Sequence, residues 1–247
     1  MERIIRNSQI IILGVCIAAA TIIASVIISG GIMKVMKFTR EQIKVTGSAT
    51  KAIRSDYIVW QAEFTRREPD LKQAYADLRE DLATVMSYLD SRNIKTADIT
   101  VSPVSTETIY RKNEKGHDTN DIEGYRLLQR VEIRSHDVDT VDAVARRSTE
   151  LINKGIRFSS FAPEYFYTKL DELKIEMLAK ATENAKQRAI SMTQATGNKI
   201  GAMRAAKMGV FQITPLNSTE VSSWGINDTS ALDKKVMAVV SASFAIE

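Results

Sequence analysis

The chain opens on an unbroken apolar run and then changes rhythm several times. Residues 10–33 are strongly apolar, and no charge occurs between residues 7 and 33. A helix of that length crosses the ~30 Å hydrocarbon layer of a bilayer. Alternation follows: Ile43, Val45, Gly47 and Ala49 share one side of a strand. Ile58, Trp60, Ala62 and Phe64 share one side of the next, with Arg54, Ser55 and Asp56 between them as a hairpin turn. The period then lengthens to that of a helix. From Pro69-Asp70 to about Arg92, Leu71, Ala74, Tyr75, Leu78, Leu82, Val85, Met86 and Leu89 recur at three and four residues.

Further along, residues 99–111 read as a third strand and residues 112–123 as a polar loop carrying His117. Residues 124–135 form the clearest strand, with Tyr125, Leu127, Val131 and Ile133 alternating with Arg126, Arg130, Glu132 and Arg134. Asp137 or Asp139 caps a helix that stops at Gly155, and residues 156–168 gather much of the chain's aromatic content in a strand. A long helix from about Leu170 to Thr196 carries the small inner row Ala181, Ala185 and Ala189, which lets a neighbour sit close. Strands at 203–214 and 234–246 enclose a polar loop at 215–230. Hairpins without repeated strand–loop–helix units imply an α+β fold: antiparallel sheets packed by amphipathic helices, preceded by one transmembrane helix. The expected organisation is a short tail (1–9), a signal-anchor helix (10–33), a linker (34–41) and one domain (42–247) with subdomains of about 42–135 and 136–247.

A cleavable leader has an apolar region of roughly 7–15 residues, so a run continuing through Ile27, Ile28, Ile32 and Met33 favours a retained anchor. The alternative is cleavage near Ser29-Gly30-Gly31. Topology is not decided by charge: Arg3 and Arg6 precede the span, whereas Lys34, Lys37, Arg40 and Lys44 follow it, and a long folded domain crosses largely regardless of its charges. Within the span, Gly14, Ala18, Thr21, Ser25 and Ser29 fall on one helical face, where small residues admit a second helix.

The net charge of +4 belongs to the membrane boundary. Residues 1–40 hold five basic residues and one acidic one, leaving 29 of each sign beyond them. Nothing there forms the basic patch with interleaved aromatics that nucleic acid requires. Cys16 is the single cysteine and lies inside the span, so the domain beyond it has no thiol chemistry.

The segments "VTGSA", "LDSRNIKTADIT", "GYRLLQRVEIRSHDVDTVDAV" and "AKATENAKQRAISMTQATGNKIG", in this order, resemble the SIMPL-domain family of bacterial envelope proteins over residues 43–246. The most specific elements are Asp98-Ile99, Gly124-Tyr125 and the Ala181/Ala185/Ala189/Ala195 row ending at Gly197. The resemblance implies an exported α+β domain with the N-terminus inside, a ring-like homo-oligomer as found in some members, and an association with oxidative-stress tolerance or surface antigenicity in others. It brings no catalytic residues. An anchor-like span departs from the commoner exported form.

The chemistry legible in the residues is sparse. His136, Asp137 and Asp139 could hold a metal, yet no second histidine or cysteine is near, and a solvated turn with a helix cap is the simpler reading. HExxH, P-loop and GxSxG signatures are absent. Trp60 and the aromatics of residues 158–167 read as core, or as the wall of a ligand pocket. Trp224 stands in the polar segment "NSTEVSSWGINDTS", where a large apolar ring must fold back onto the domain or meet a partner, and an oligomer interface is the expectation. The expectation is therefore a non-enzymatic, single-span protein of the bacterial inner membrane with no cofactor or metal. Its partners are the bilayer and other copies of itself, not nucleic acid, and its domain self-assembles outside the membrane, as a ring-like envelope scaffold or channel-like particle. The alternatives are a ligand-binding or sensor module, and a hydrolase with His136 as base.

Overall fold

The computed structural model describes residues 2–247, with side chains at 14–33, 36 and 41–247. The basic residues flanking the span (Arg3, Arg6, Lys34, Lys37 and Arg40) lie outside the described side chains. Helix α1 (Glu2–Arg40) contains the segment Gly14–Met33, long and apolar enough to cross a membrane, with none of it buried against the rest of the chain. Strands β1 (Gln42–Arg54) and β2 (Tyr57–Glu68) follow, then helix α2 (Leu71–Ser91), β3 (Ile99–Val101), β4 (Ser105–Lys112) and β5 (Asp118–Ser135). Helix α3 (Val138–Arg147), β6 (Arg157–Ser160), β7 (Glu164–Phe166) and helix α4 (Leu170–Gln194) lead to β8 (Ile200–Met208), β9 (Gln212–Pro215), β10 (Ile226–Asn227) and β11 (Asp233–Ile246). The class is α+β with predominantly antiparallel sheets.

The chain divides into two interleaved units: residues 1–49, 178–209 and 238–247, and residues 50–177 and 210–237. β1, α4 and β11 each contribute to both. In the first unit β11 lies between β1 and β8, pairing antiparallel with β8 from Val240↔Met208 to Ile246↔Ile200. Ala185 and Ala189 of α4 pack on Val45, Ala242 and Phe244. Gly47 lets this happen: a Cβ there would collide with the Ala181 carbonyl and the Ala185 backbone. The alanine row at 181, 185 and 189 is fully buried.

In the second unit a six-stranded sheet has the order β3-β5-β2-β6, with β4 also on β5 and β7 also on β2. Its covered face places Ile58, Trp60, Ala62 and Phe64 of β2 and Leu127, Val131 and Ile133 of β5 in one core with Leu78, Val85 and Leu89 of α2 and Val141 and Val144 of α3. The alternate residues bear charge: Glu63 stands opposite Arg130 and Gln61 opposite Glu132, and both pairs bond across the strands. One polar pair lies deeper. Asp81 of α2 is 3% exposed and receives two hydrogen bonds from the Arg66 guanidinium, which raises the Arg66 pKa above its ordinary value. A charge buried that far is retained only with such a partner.

Several expectations are corrected here. β1 and β2 are not a hairpin: both edges of β2 are occupied, one by β5 and the other by β6 and β7, and β1 joins β11 instead. Residues 118–123 are not loop but the start of β5, paired with β4, and the turn shrinks to residues 113–117 around Asn113, whose Oδ1 accepts from the Lys115 and His117 amides. The single strands expected at 99–111 and 156–168 each break in two near Pro103 and Pro163, residues that cannot donate to a ladder. Residues 203–214 likewise split, into β8 and β9. On α2 the buried stripe includes Asp81 and Tyr88, whereas Leu71 and Tyr75 are exposed.

The expected consequence of the close β1–α4 approach is that Gly47→Ala costs about 3 kcal/mol of unfolding free energy in urea titration, since backbone atoms cannot turn aside. Gly201→Ala is the control. Its Cβ would meet only the mobile end of the Glu247 side chain and the Ala245 methyl, and it should cost under about 1 kcal/mol.

Candidate functional site

The small-residue face of α1 is open. Gly14, Ala18, Thr21, Ser25 and Ser29 are all exposed, and Thr21 Oγ1 donates back to the Ala18 carbonyl at 2.9 Å, so its hydroxyl is satisfied inside the helix. No atom lies within 4 Å of a Cβ built on Gly14. Cys16 is exposed on the same helix.

His136 is engaged locally. Its Nδ1–H donates to the Asp56 carbonyl at 2.9 Å, and its ring meets the Tyr57 ring edge-on with centroids 4.9 Å apart. Asp137 caps α3, its Oδ1 accepting from the Thr140 amide at 3.2 Å, and Asp139 is paired with Arg54 at 2.5 Å. The three residues proposed as a metal or hydrolase set are thus each committed to a different neighbour. Among the described residues no group of three or more His, Cys, Asp or Glu side chains is placed to share a metal.

The aromatic candidates separate. Trp60 is 1% exposed and its indole N–H donates to Ser160 Oγ at 3.0 Å, so it belongs to the core. Tyr165, Phe166 and Tyr167 border a small cavity of about 60 Å³, room for a few waters. That cavity holds a group the alternation of β11 placed inward without its being singled out, Lys234. Its side chain is buried, with Nζ donating to the Tyr165 carbonyl at 2.6 Å, and burial pulls its pKa below the ordinary 10.5 while Asp228 acts weakly against the shift. Tyr165 in turn donates its hydroxyl to Asp142 at 2.5 Å, and burial together with that bond pushes the phenol up to about 12. Trp224 is the opposite extreme: 92% exposed, in a loop with Val221, which is 66% exposed.

Among the described residues, two of the longer strands leave one edge unpaired and uncovered. β8 pairs with β11 on one side only, and residues 202–208 are exposed throughout. β4 pairs only with β5. The outer edge of β1 differs, because α4 covers it with side chains: Asn184 Oδ1 accepts from the Ser48 amide at 3.1 Å, and Arg188 donates to the Thr46 carbonyl at 2.9 Å. The last strand, β11, offers no free edge, since it lies between two others; the free edge beside it is that of β8.

A second, larger cleft of about 340 Å³ lies between α2 and α3, lined by Tyr88, Arg92, Asp139, Thr140, Ala143, Val144 and Arg147. None of these except Asp139 carried a functional reading in the sequence.

The family model SIMPL, described as a protein of unknown function (DUF541), matches residues 43–244. The chain belongs to the SIMPL family. No curated protein matches it. Among solved structures it is similar to an amidase of the hydantoinase/carbamoylase family from Burkholderia phymatum, at 12% identity and TM-score 0.29, covering 52% of this chain and 34% of that one. It is also similar to the de novo designed protein Foldit4 (14% identity, TM-score 0.20, 42% of this chain and 93% of that one). A third is an uncharacterized conserved protein from Listeria innocua (8% identity, TM-score 0.21, 80% and 92%). Likenesses this distant carry no functional argument.

The buried ammonium generates a pH test. With its folded pKa below 10.5, Lys234 releases its proton earlier in the folded than in the unfolded chain, so the unfolded state binds more protons and stability rises with pH across that interval. Lys234→Met removes the linkage. The unfolding free energy of the wild type minus that of the variant should therefore increase as pH climbs toward 10.5 and level off above it, and a flat difference would show that the ammonium is not desolvated.

Proposed function

We propose that this protein is a membrane-tethered SIMPL-domain envelope component that acts by self-assembly rather than catalysis. The apolar helix serves as a retained anchor in the bacterial inner membrane, with the N-terminus in the cytoplasm and the domain on the far side. The observation that carries the reading is the bare edge of β8, a nine-residue strand exposed from residue 202 to residue 208. A long unpaired edge is a template for another strand unless blocked, and here the comparable edge of β1 is blocked whereas β8 is not.

The occupant is a second copy, met head to tail. Residues 199–208 carry Lys199, Arg204 and Lys207 and no acidic residue, so two β8 strands placed side by side would repel. The hairpin at 105–123 offers the other long free edge, β4; of its carboxylates, Glu107 and Glu123 are held by Arg126 and Arg67, whereas Glu114, Asp118 and Asp121 in the turn and on β5 are left to meet the basic strand. Pairing β8 of one copy with β4 of the next is heterologous, and such contacts repeat until a ring closes. Anchors confined to one bilayer raise the effective concentration of these edges. Trp224 and Val221 supply an apolar surface suited to the same joint, and the small-residue face of α1 suits contact between anchors.

The test is native mass spectrometry of full-length protein released from mild detergent. Wild type should appear as a closed oligomer, with Lys207→Glu or Asp121→Lys singly reducing it to monomers and the double charge swap restoring it. A wild type that is monomeric at every concentration overturns self-assembly, and a swap that fails to restore the oligomer overturns the β8–β4 joint.

A further inference from the structure

We infer that the cleft between α2 and α3 is a binding site for a small organic carboxylate, a compact apolar body bearing one negative charge. The cleft is built from the last turns of α2 and one face of α3, and its volume of about 340 Å³ falls at the lower end of the range for small-molecule sites. Its charge is unbalanced in a specific way. Asp139 is neutralised by Arg54 and Arg92 by Glu150, at 3.0 Å. Arg147, by contrast, has no ion-pair partner among the described residues, although its neighbour Arg146 is held by Asp142 at 2.9 Å. The cleft therefore presents one uncompensated guanidinium, which suits a monoanion and a planar carboxylate in particular.

An independent observation comes from Tyr88. The residue is 6% exposed, and its hydroxyl is buried without a hydrogen-bond partner. Arg92 lies over the ring face, 5.3 Å from its centroid, and its positive charge opposes the rise of the phenol's pKa. Burial and Glu150 raise the phenol's pKa, against the pull of Arg92 and Arg147, which keeps it a neutral donor. A buried hydroxyl left unbonded costs roughly 1–3 kcal/mol, and a native fold retains such a group where something else bonds it. The apolar surfaces of Val144 and Ala143 and the Tyr88 ring complete a wall for the ligand's body, and Thr140 adds a second hydroxyl. The expectation that a ligand pocket would lie by Trp60 or residues 165–167 pointed elsewhere; Trp60 is core, and the cavity at 165–167 holds a few waters at most.

The experiment is calorimetric titration of full-length protein in lipid nanodiscs, with empty discs subtracted, using benzoate, benzyl alcohol and inorganic phosphate as probes. Benzoate is expected to bind saturably with a Kd on the order of 1 mM, as suits a ligand of its size. The alcohol and phosphate should bind at least about tenfold more weakly. Arg147→Gln should abolish benzoate binding, and Arg146→Gln, one residue away but outside the cleft, should leave it unchanged. Tyr88→Phe should weaken benzoate severalfold without lowering Tm, because it removes an unbonded hydroxyl and no packing atom. Absence of saturation up to about 20 mM benzoate, roughly twentyfold above the expected constant, overturns the site. So does equal binding by Arg147→Gln. Phosphate binding as tightly as benzoate would reduce it to a plain anion site, and a Tyr88→Phe variant that loses Tm but keeps benzoate would return the tyrosine to the core.

Discussion

The approach of α4 to β1 is the constraint on which the first unit depends. A helix normally packs about 10 Å from a sheet, with side chains filling the gap. Here the gap is closed instead: the helix presents alanines at 181, 185 and 189, and the strand answers with Gly47. Such proximity is what brings Asn184 and Arg188 within reach of the Ser48 amide and the Thr46 carbonyl. The small residues therefore set both the packing and the chemistry of an edge, since longer side chains would hold the helix too far away to seal it. Dispersion between closely spaced backbones takes the place of the interdigitated branched side chains found elsewhere in the chain.

The second unit solves the same problem by other means. Its core is filled by large side chains, Trp60, Phe64, Leu78 and Leu127 among them, which its helices and one face of the sheet share. The open face is kept in water by charged pairs, Glu63 with Arg130 across β2 and β5, and Glu132 with Arg134 two residues along β5. Each such exposed pair is worth little in stability, but together they prescribe which face points outward, because a slip of one residue would bury the whole charged set.

How far the sequence discloses this fold depends on the range of the interaction concerned. Features governed by neighbours three or four residues away were legible: the start of α2 at Pro69-Asp70, a cap for α3 at Asp137 or Asp139 (it is Asp137), the stops at Gly155 and Gly197, the alanine row, and the alternation of β5. Strand partnership was not, because adjacency suggests a β1–β2 hairpin, whereas pairing is decided by which edges the later strands β5, β6 and β7 occupy. The loop expected at 112–123 failed for a related reason: "DTNDIE" is polar on both faces since it lies beyond the helices that cover the rest of β5, and polarity alone does not distinguish an uncovered strand from a turn. The candidate sites followed the same division. Trp224 was legible because an apolar ring in a polar segment is a local anomaly, and it is bare in the fold. Tyr88, Arg92 and Arg147 were illegible, since Tyr88 lies off the apolar stripe read along α2 and only the fold shows it buried with its hydroxyl unpartnered.

One residue, Glu41, separates α1 from β1, and its carbonyl accepts a hydrogen bond from the Ile246 amide in the final strand at 3.2 Å. A flexible tether of ten residues would let a domain wander by some 15–20 Å; this junction has no slack. With Gly14–Met33 in a bilayer, the seven helical residues that follow add a stalk of about 10 Å, and the sheet begins directly on top of it. Tilt of the helix is thereby converted into tilt of the sheet, and the remaining large freedom is spin about the membrane normal. Under the proposed self-assembly, encounters between copies become a search over one angle in a plane, so bilayer thickness, which sets helix tilt, becomes a variable that controls which edges meet.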